Sequence, residues 1–136
     1  MGLEDIPIVA ESADAGLTGN AAAVLREVAA QLARLTASGE GGAIDLTALP
    51  LTPADRDWLA AQLGQGEVEI TLRTGGESTL REAAYPGVWW VRHHNEAGTL
   101  VSELIEVCHI PEIVPAHPAD IQSGLERLNI RLDDLN

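Results

Sequence analysis

The sequence predicts an α+β fold, a two-layer domain in which an antiparallel four-stranded meander carries helices on one face. Three observations predict it. Apolar residues recur every three or four positions in the first half of the chain, alternate every two positions from Glu67 onward, and the alternating runs are separated by short turn signals. Turns that short join antiparallel neighbours, because a parallel crossover needs a dozen residues or more. A chain of 136 residues fits one domain with a single core and needs no staples.

Residues 1–16 show no sustained period and carry Glu4, Asp5, Glu11 and Asp14, which reads as a flexible lead in which only Ile6 to Val9 offers an extended edge. The domain proper is expected over residues 17–132. Leu17, Ala21, Val24, Leu25, Val28, Leu32 and Leu35 follow at helical spacing, with Thr18 or Asn20 as N-cap and Ser38 and Gly39 as the stop, so an amphipathic helix is predicted over residues 19–37. Ala43 to Leu51 reads as an apolar connector lying on the core. Thr52, Pro53 and Asp55 then supply an N-cap, a proline at the first helical position and an acid in the first turn. That second helix carries Trp58, Leu59 and Leu63 inward and stops at Gly64.

From Glu67 the period becomes two: Val68, Ile70 and Leu72 alternate with Glu69, Thr71 and Arg73, and Thr74, Gly75 and Gly76 turn the chain into a strand from Ser78 to Ala84. Val88 to His94 and Thr99 to Ile110 complete the meander. Pro111 and Pro115 end it, and Pro118 opens a short closing helix whose Ile121, Leu125 and Leu128 are expected to pack back. Residues 133–136 are left as a tail.

Tyr85 to Arg92 holds two of the three tryptophans and the only tyrosine. On a strand Trp89 and Trp90 point to opposite faces, Trp90 with Val88 and Arg92, Trp89 with Val91 and His93. Helices cover one face of a meander, so the other tryptophan calls for a second covering surface, most simply a second copy of the chain. Tyr85, Trp89, Trp90 and Arg92 are therefore the candidate partner-binding residues.

Charge excludes one class of partner. Against 21 acidic residues stand 8 basic ones, all arginine, and the formal charge of −13 repels phosphate backbones, so nucleic acid is not expected. No apolar run approaches the length of a membrane span, and the single Cys108 with no signal peptide or lipidation motif places the chain in the cytoplasm. His93, His94, Cys108, His109 and His117 invite a metal reading, but neighbours on a strand diverge and no CxxC, HxxxH or HExxH spacing occurs. Neither metal nor cofactor is expected. Ser78, Ser102 and Ser123 lack a nucleophile elbow, Gly75 and Gly76 lack the lysine of a phosphate loop, and a Glu82–Glu106 pair reads as surface acids rather than a catalytic dyad, so no enzyme is predicted.

Leu17 to Ala22, Ile44 to Thr47 with Leu49 to Thr52, Leu63 to Val68, Gly87 to Val91, and Ile105 to Val107 with Ile110 and Pro111 resemble, in order and spacing, the HupH/HyaF hydrogenase expression/formation proteins. The resemblance spans about residues 17–115 and is to the conserved C-terminal region. It implies an accessory protein, a chaperone or scaffold, for [NiFe] hydrogenase maturation, acting on the iron–sulfur small subunit alongside other maturation proteins. It carries over no catalytic residues. Two rival readings are an iron–sulfur or metal carrier using Cys108 and the histidines, and a purely structural oligomerising module.

Overall fold

The computed structural model describes residues 16–136, and the expected lead falls, but for Gly16, outside the described residues. Helix α1 runs Asn20–Ser38, strand β1 Gly42–Asp45, helix α2 Pro53–Leu63, strands β2 Glu69–Arg73, β3 Gly76–Glu82, β4 Val88–Asn95 and β5 Leu100–Val107, and helix α3 Pro118–Asp134. All strand pairs are antiparallel and the sheet order is β1-β5-β4-β3-β2.

Five strands stand where the sequence predicts four. The extra one is β1, within the segment read as a connector, which pairs Gly42 to Asp45 with Val107 to Leu104 before a 3₁₀ turn over Leu46–Ala48. Ile44 and Leu46 are buried while Ala43 and Asp45 are exposed, as a short edge strand over a core requires.

Helix α2 begins as expected. The Thr52 hydroxyl accepts from the Asp55 N–H at 3.0 Å, the Asp55 carboxylate accepts from the Thr52 N–H at 3.0 Å, and Pro53 takes the first turn. Helix α1 begins differently. Gly19, not Thr18 or Asn20, is the N-cap, because Thr18 is turned onto the other helix, its N–H and hydroxyl donating to the Asp55 carboxylate at 2.9 and 2.7 Å. Asp55 thus ties the starts of α1 and α2 together. Its burial alone would raise the carboxyl pKa, but the bonds from Thr52 and Thr18 outweigh that and hold it at about 2.

The core lies between the helices and one face of the sheet: Ala21, Val24 and Val28 of α1 and Leu59 and Leu63 of α2 meet Ile44, Val88, Ile105 and Val107, with Trp58 and Trp90 packed at its margin. A second cluster occupies the other face, where Leu80, Trp89 and Val91 are buried and Ile70, Leu72, Leu104, Cys108 and Val114 pack around them. The two tryptophans do diverge to opposite faces.

Helix α3 departs from its expected form. It is not short, running for 17 residues, and none of its residues is buried; Ile121, Leu125 and Leu128 are exposed rather than packed back on the domain. Its start is regular, His117 Nδ1 accepting from the Ala119 N–H at 3.2 Å with Pro118 in the first turn.

Candidate functional site

A second buried polar cluster, besides the one at Asp55, is built around Glu103. On β5 this residue is in phase with Ile105 and Val107, so the pleat turns it toward the helices, and it is only 3% exposed. A carboxylate there requires partners. Arg56 in the first half of α2 closes an ion pair with Oε1 through Nη1, Arg92 Nε on β4 lies 3.0 Å from Oε2, and the Trp90 indole N–H donates to Oε2 at 2.9 Å. The other Arg56 nitrogen donates to the Leu46 carbonyl at 3.4 Å.

These groups line a groove of about 420 Å³ between α2 and the uncovered part of the sheet, whose apolar surfaces come from Ala60, Leu63, Trp90 and Leu100. Arg56, Arg81 and Arg92 stand against Asp57 and Glu103 around it, while Glu82, opposite Trp89, turns its side chain to the far face, so the groove lacks the negative excess of a chain of net charge −13. Three of the roughly four lone-pair sites of the Glu103 carboxylate are committed, to two guanidiniums and an indole. A shallower polar basin of about 540 Å³ lies at the hairpin end, between Arg73, Glu77, His94 and Glu96.

The predicted partner-binding residues are not gathered in one place. Trp90 and Arg92 line the groove, whereas Tyr85 is exposed in the turn between β3 and β4. Trp89 is 3% exposed and faces away, with its indole N–H donating to the Cys108 carbonyl at 3.2 Å and Val114 packed nearby. The chain leaving β5 therefore returns over the far face at Trp89, and that tryptophan does not await a second copy. Strand period does not reveal this return, which is made by the irregular segment after the last strand, where Pro111 is fully buried. Glu103 and Arg56 were missed although the alternation of Glu103 with Ile105 and Val107 marks it as inward.

Among the described residues no group of three or more histidine, cysteine, aspartate or glutamate side chains is disposed to hold a metal ion. Burial pushes the Cys108 thiol up to about 11, with the nearby Glu106 carboxylate adding to the rise, so it stays protonated near neutral pH. Burial likewise raises Glu106, against an opposing pull from His93 and with a further push from Glu112. Glu82 and Glu106 both stand opposite Trp89, one on each side, so two strand spacings, about 10 Å, separate their backbones. Register does bring Ser78 opposite His93, with Oγ and Nδ1 2.6 Å apart. No carboxylate among the described residues hydrogen-bonds the other nitrogen of that ring, so the dyad lacks the orienting group of a hydrolytic triad.

Residues 18–135 match the family model described as HupH hydrogenase expression protein, C-terminal conserved region. The chain is 37% identical over 86 residues to the hydrogenase expression/formation protein HoxQ of Azotobacter vinelandii, covering 63% of this chain and 30% of that protein. It is 35% identical over 86 residues to the hydrogenase-1 operon protein HyaF of Escherichia coli K12, with the same coverage of 63% and 30%. To HupH of Rhizobium leguminosarum bv. viciae it is 29% identical over 109 residues, 80% of this chain and 39% of that one. The matched region thus spans about a third of the length of these curated relatives. The solved hydrogenase expression protein HupH from Thiobacillus denitrificans superposes with a TM-score of 0.83 at 48% identity, covering 86% of this chain and 98% of that one.

Proposed function

This chain belongs to the HupH hydrogenase expression protein family, and from that premise we propose that it is an accessory protein of [NiFe] hydrogenase maturation that works by binding rather than by catalysis. Its client is the iron–sulfur small subunit, which it holds in the cytoplasm as a chaperone or scaffold in concert with other maturation proteins. The observation that carries the reading is the match of residues 18–135 to a family whose relatives are named for hydrogenase expression and formation. The groove beside Trp90 supports the mode of action: apolar walls and an immobilised Arg56–Glu103–Arg92 cluster, free of the chain's negative excess, offer a polypeptide segment a docking surface. Chaperone action of this kind needs no nucleophile and no resident metal.

Deleting the gene and following hydrogenase activity together with small-subunit assembly tests the proposal. The expected result is a deficit of assembled, active hydrogenase that the plasmid-borne wild-type chain restores, and recovery of the small subunit on the tagged chain. Normal activity and assembly in the deletion strain would overturn it.

A further inference from the structure

We propose that two copies of this chain pair edge to edge through β2, across a two-fold axis at Thr71, to make one continuous sheet. Among the described residues β2 is the last strand of the sheet on its side. Its backbone phase is fixed by its other neighbour. The Val68 carbonyl accepts from the Glu82 N–H at 2.9 Å, the Thr74 N–H donates to the Gly76 carbonyl at 3.2 Å, and the register between them sets Ile70 opposite Leu80 and Leu72 opposite Ser78. In an antiparallel ladder bonding pairs alternate, so the even positions spend their N–H and C=O groups on β3. Glu69, Thr71 and Arg73 aim theirs outward.

A two-fold axis at Thr71 makes only outward positions meet. Glu69 stands opposite the partner's Arg73, Thr71 opposite the partner's Thr71, and Arg73 opposite the partner's Glu69. Each of these pairs exchanges two backbone hydrogen bonds. The side chains agree with the backbone. Glu69, Thr71 and Arg73 are exposed on one face, where the axis creates two opposite-charge pairs and a threonine pair. Ile70 and Leu72 are half-buried on the other face, where Ile70 meets the partner's Leu72 and Leu72 the partner's Ile70, extending the cluster of Leu80, Trp89 and Val91 across the axis. Edge strands of monomers are commonly guarded by proline, a bulge or charged side chains, the last acting by repulsion where pairing brings like charges opposite one another. Here the ends of the strand carry opposite signs instead, which repels nothing in a two-fold arrangement and complements itself. The partner is therefore a second copy of this chain, independently of which client the groove binds.

The test is solution mass by light scattering and sedimentation on the full chain and four variants. The wild type is expected to run as a two-chain species. Glu69→Arg alone and Arg73→Glu alone each set like charges opposite one another twice per dimer, and each should raise the dissociation constant about tenfold. Combining them restores opposite signs and should restore the dimer, a rescue that only this antiparallel pairing of 69 with 73 produces. Thr71→Pro removes the outward N–H at the axis while leaving the ladder to β3 intact, and should give single chains that remain folded, losing only the stability that pairing adds. A wild type of single-chain mass, a dimer indifferent to all four variants, or a double variant that stays apart while folded would each overturn the proposal.

Discussion

At the scale of single residues, Glu103 governs the groove, because a carboxylate that is 3% exposed must be compensated in place. Arg56 and Arg92 are each partly exposed, so either alone loses modestly when truncated, the remaining guanidinium and the Trp90 indole still serving the carboxylate. Removing both strands it. Arg56→Ala with Arg92→Ala is expected to cost about 3 kcal/mol, more than the two single losses added, which a double-mutant cycle by chemical denaturation would measure. Trp89→Ala, by contrast, opens a cavity in the second cluster and should cost about 3–5 kcal/mol without altering client binding. Asp55 makes stability depend on acid. Its folded pKa of about 2 lies below the ordinary 3.8, so its contribution is complete above about pH 4 and lost as pH falls toward 2. Asp55→Asn should lower the melting temperature at neutral pH, and its difference from wild type should shrink over that acid window.

At the scale of elements, what the sequence made legible was what its own neighbours decide. Thr52, Pro53 and Asp55 announce the start of α2 within four residues of each other, and alternation sends Trp89 and Trp90 to opposite faces, because both signals are local. Strand β1 was not legible: it has 4 residues, and what makes it a strand is Leu104 to Val107, some sixty positions away. Helix α3 misled for the converse reason, since Ile121, Leu125 and Leu128 give a proper amphipathic spacing without any surface of the domain beneath them. Leu125→Ala and Leu128→Ala should therefore change unfolding free energy by no more than about 0.5 kcal/mol in a urea titration, as exposed positions do. In α1, Gln31 is 4% exposed and, although its amide donates to Glu27 at 3.1 Å, its Oε1 has no hydrogen-bond partner among the described residues.

At the scale of the whole molecule, the candidate site was only half legible, because Trp90 and Arg92 are conspicuous in the sequence while Arg56 and Glu103 acquire meaning when α2 is laid over β4 and β5. Charge explains why that meeting matters. Three of the eight arginines gather around one groove, leaving the remaining surface strongly acidic, so a client segment finds least repulsion there if it is itself neutral or acidic. The decisive variant should block the groove without disturbing what builds it. Ala60 fits that need: it is exposed on α2 and lines the groove, yet takes no part in the Glu103 cluster. Ala60→Trp projects a large ring into a space of about 420 Å³ while altering an exposed helical position, for which the folding cost stays near 0.5 kcal/mol. The expected outcome is a chain with nearly the wild-type melting temperature and unchanged self-association that no longer retains the small subunit and fails to restore hydrogenase activity in the deletion strain. Retention of the client at wild-type level by that well-folded variant would move the contact surface elsewhere, with the exposed face of α3 and the turn at Tyr85 the next places to probe.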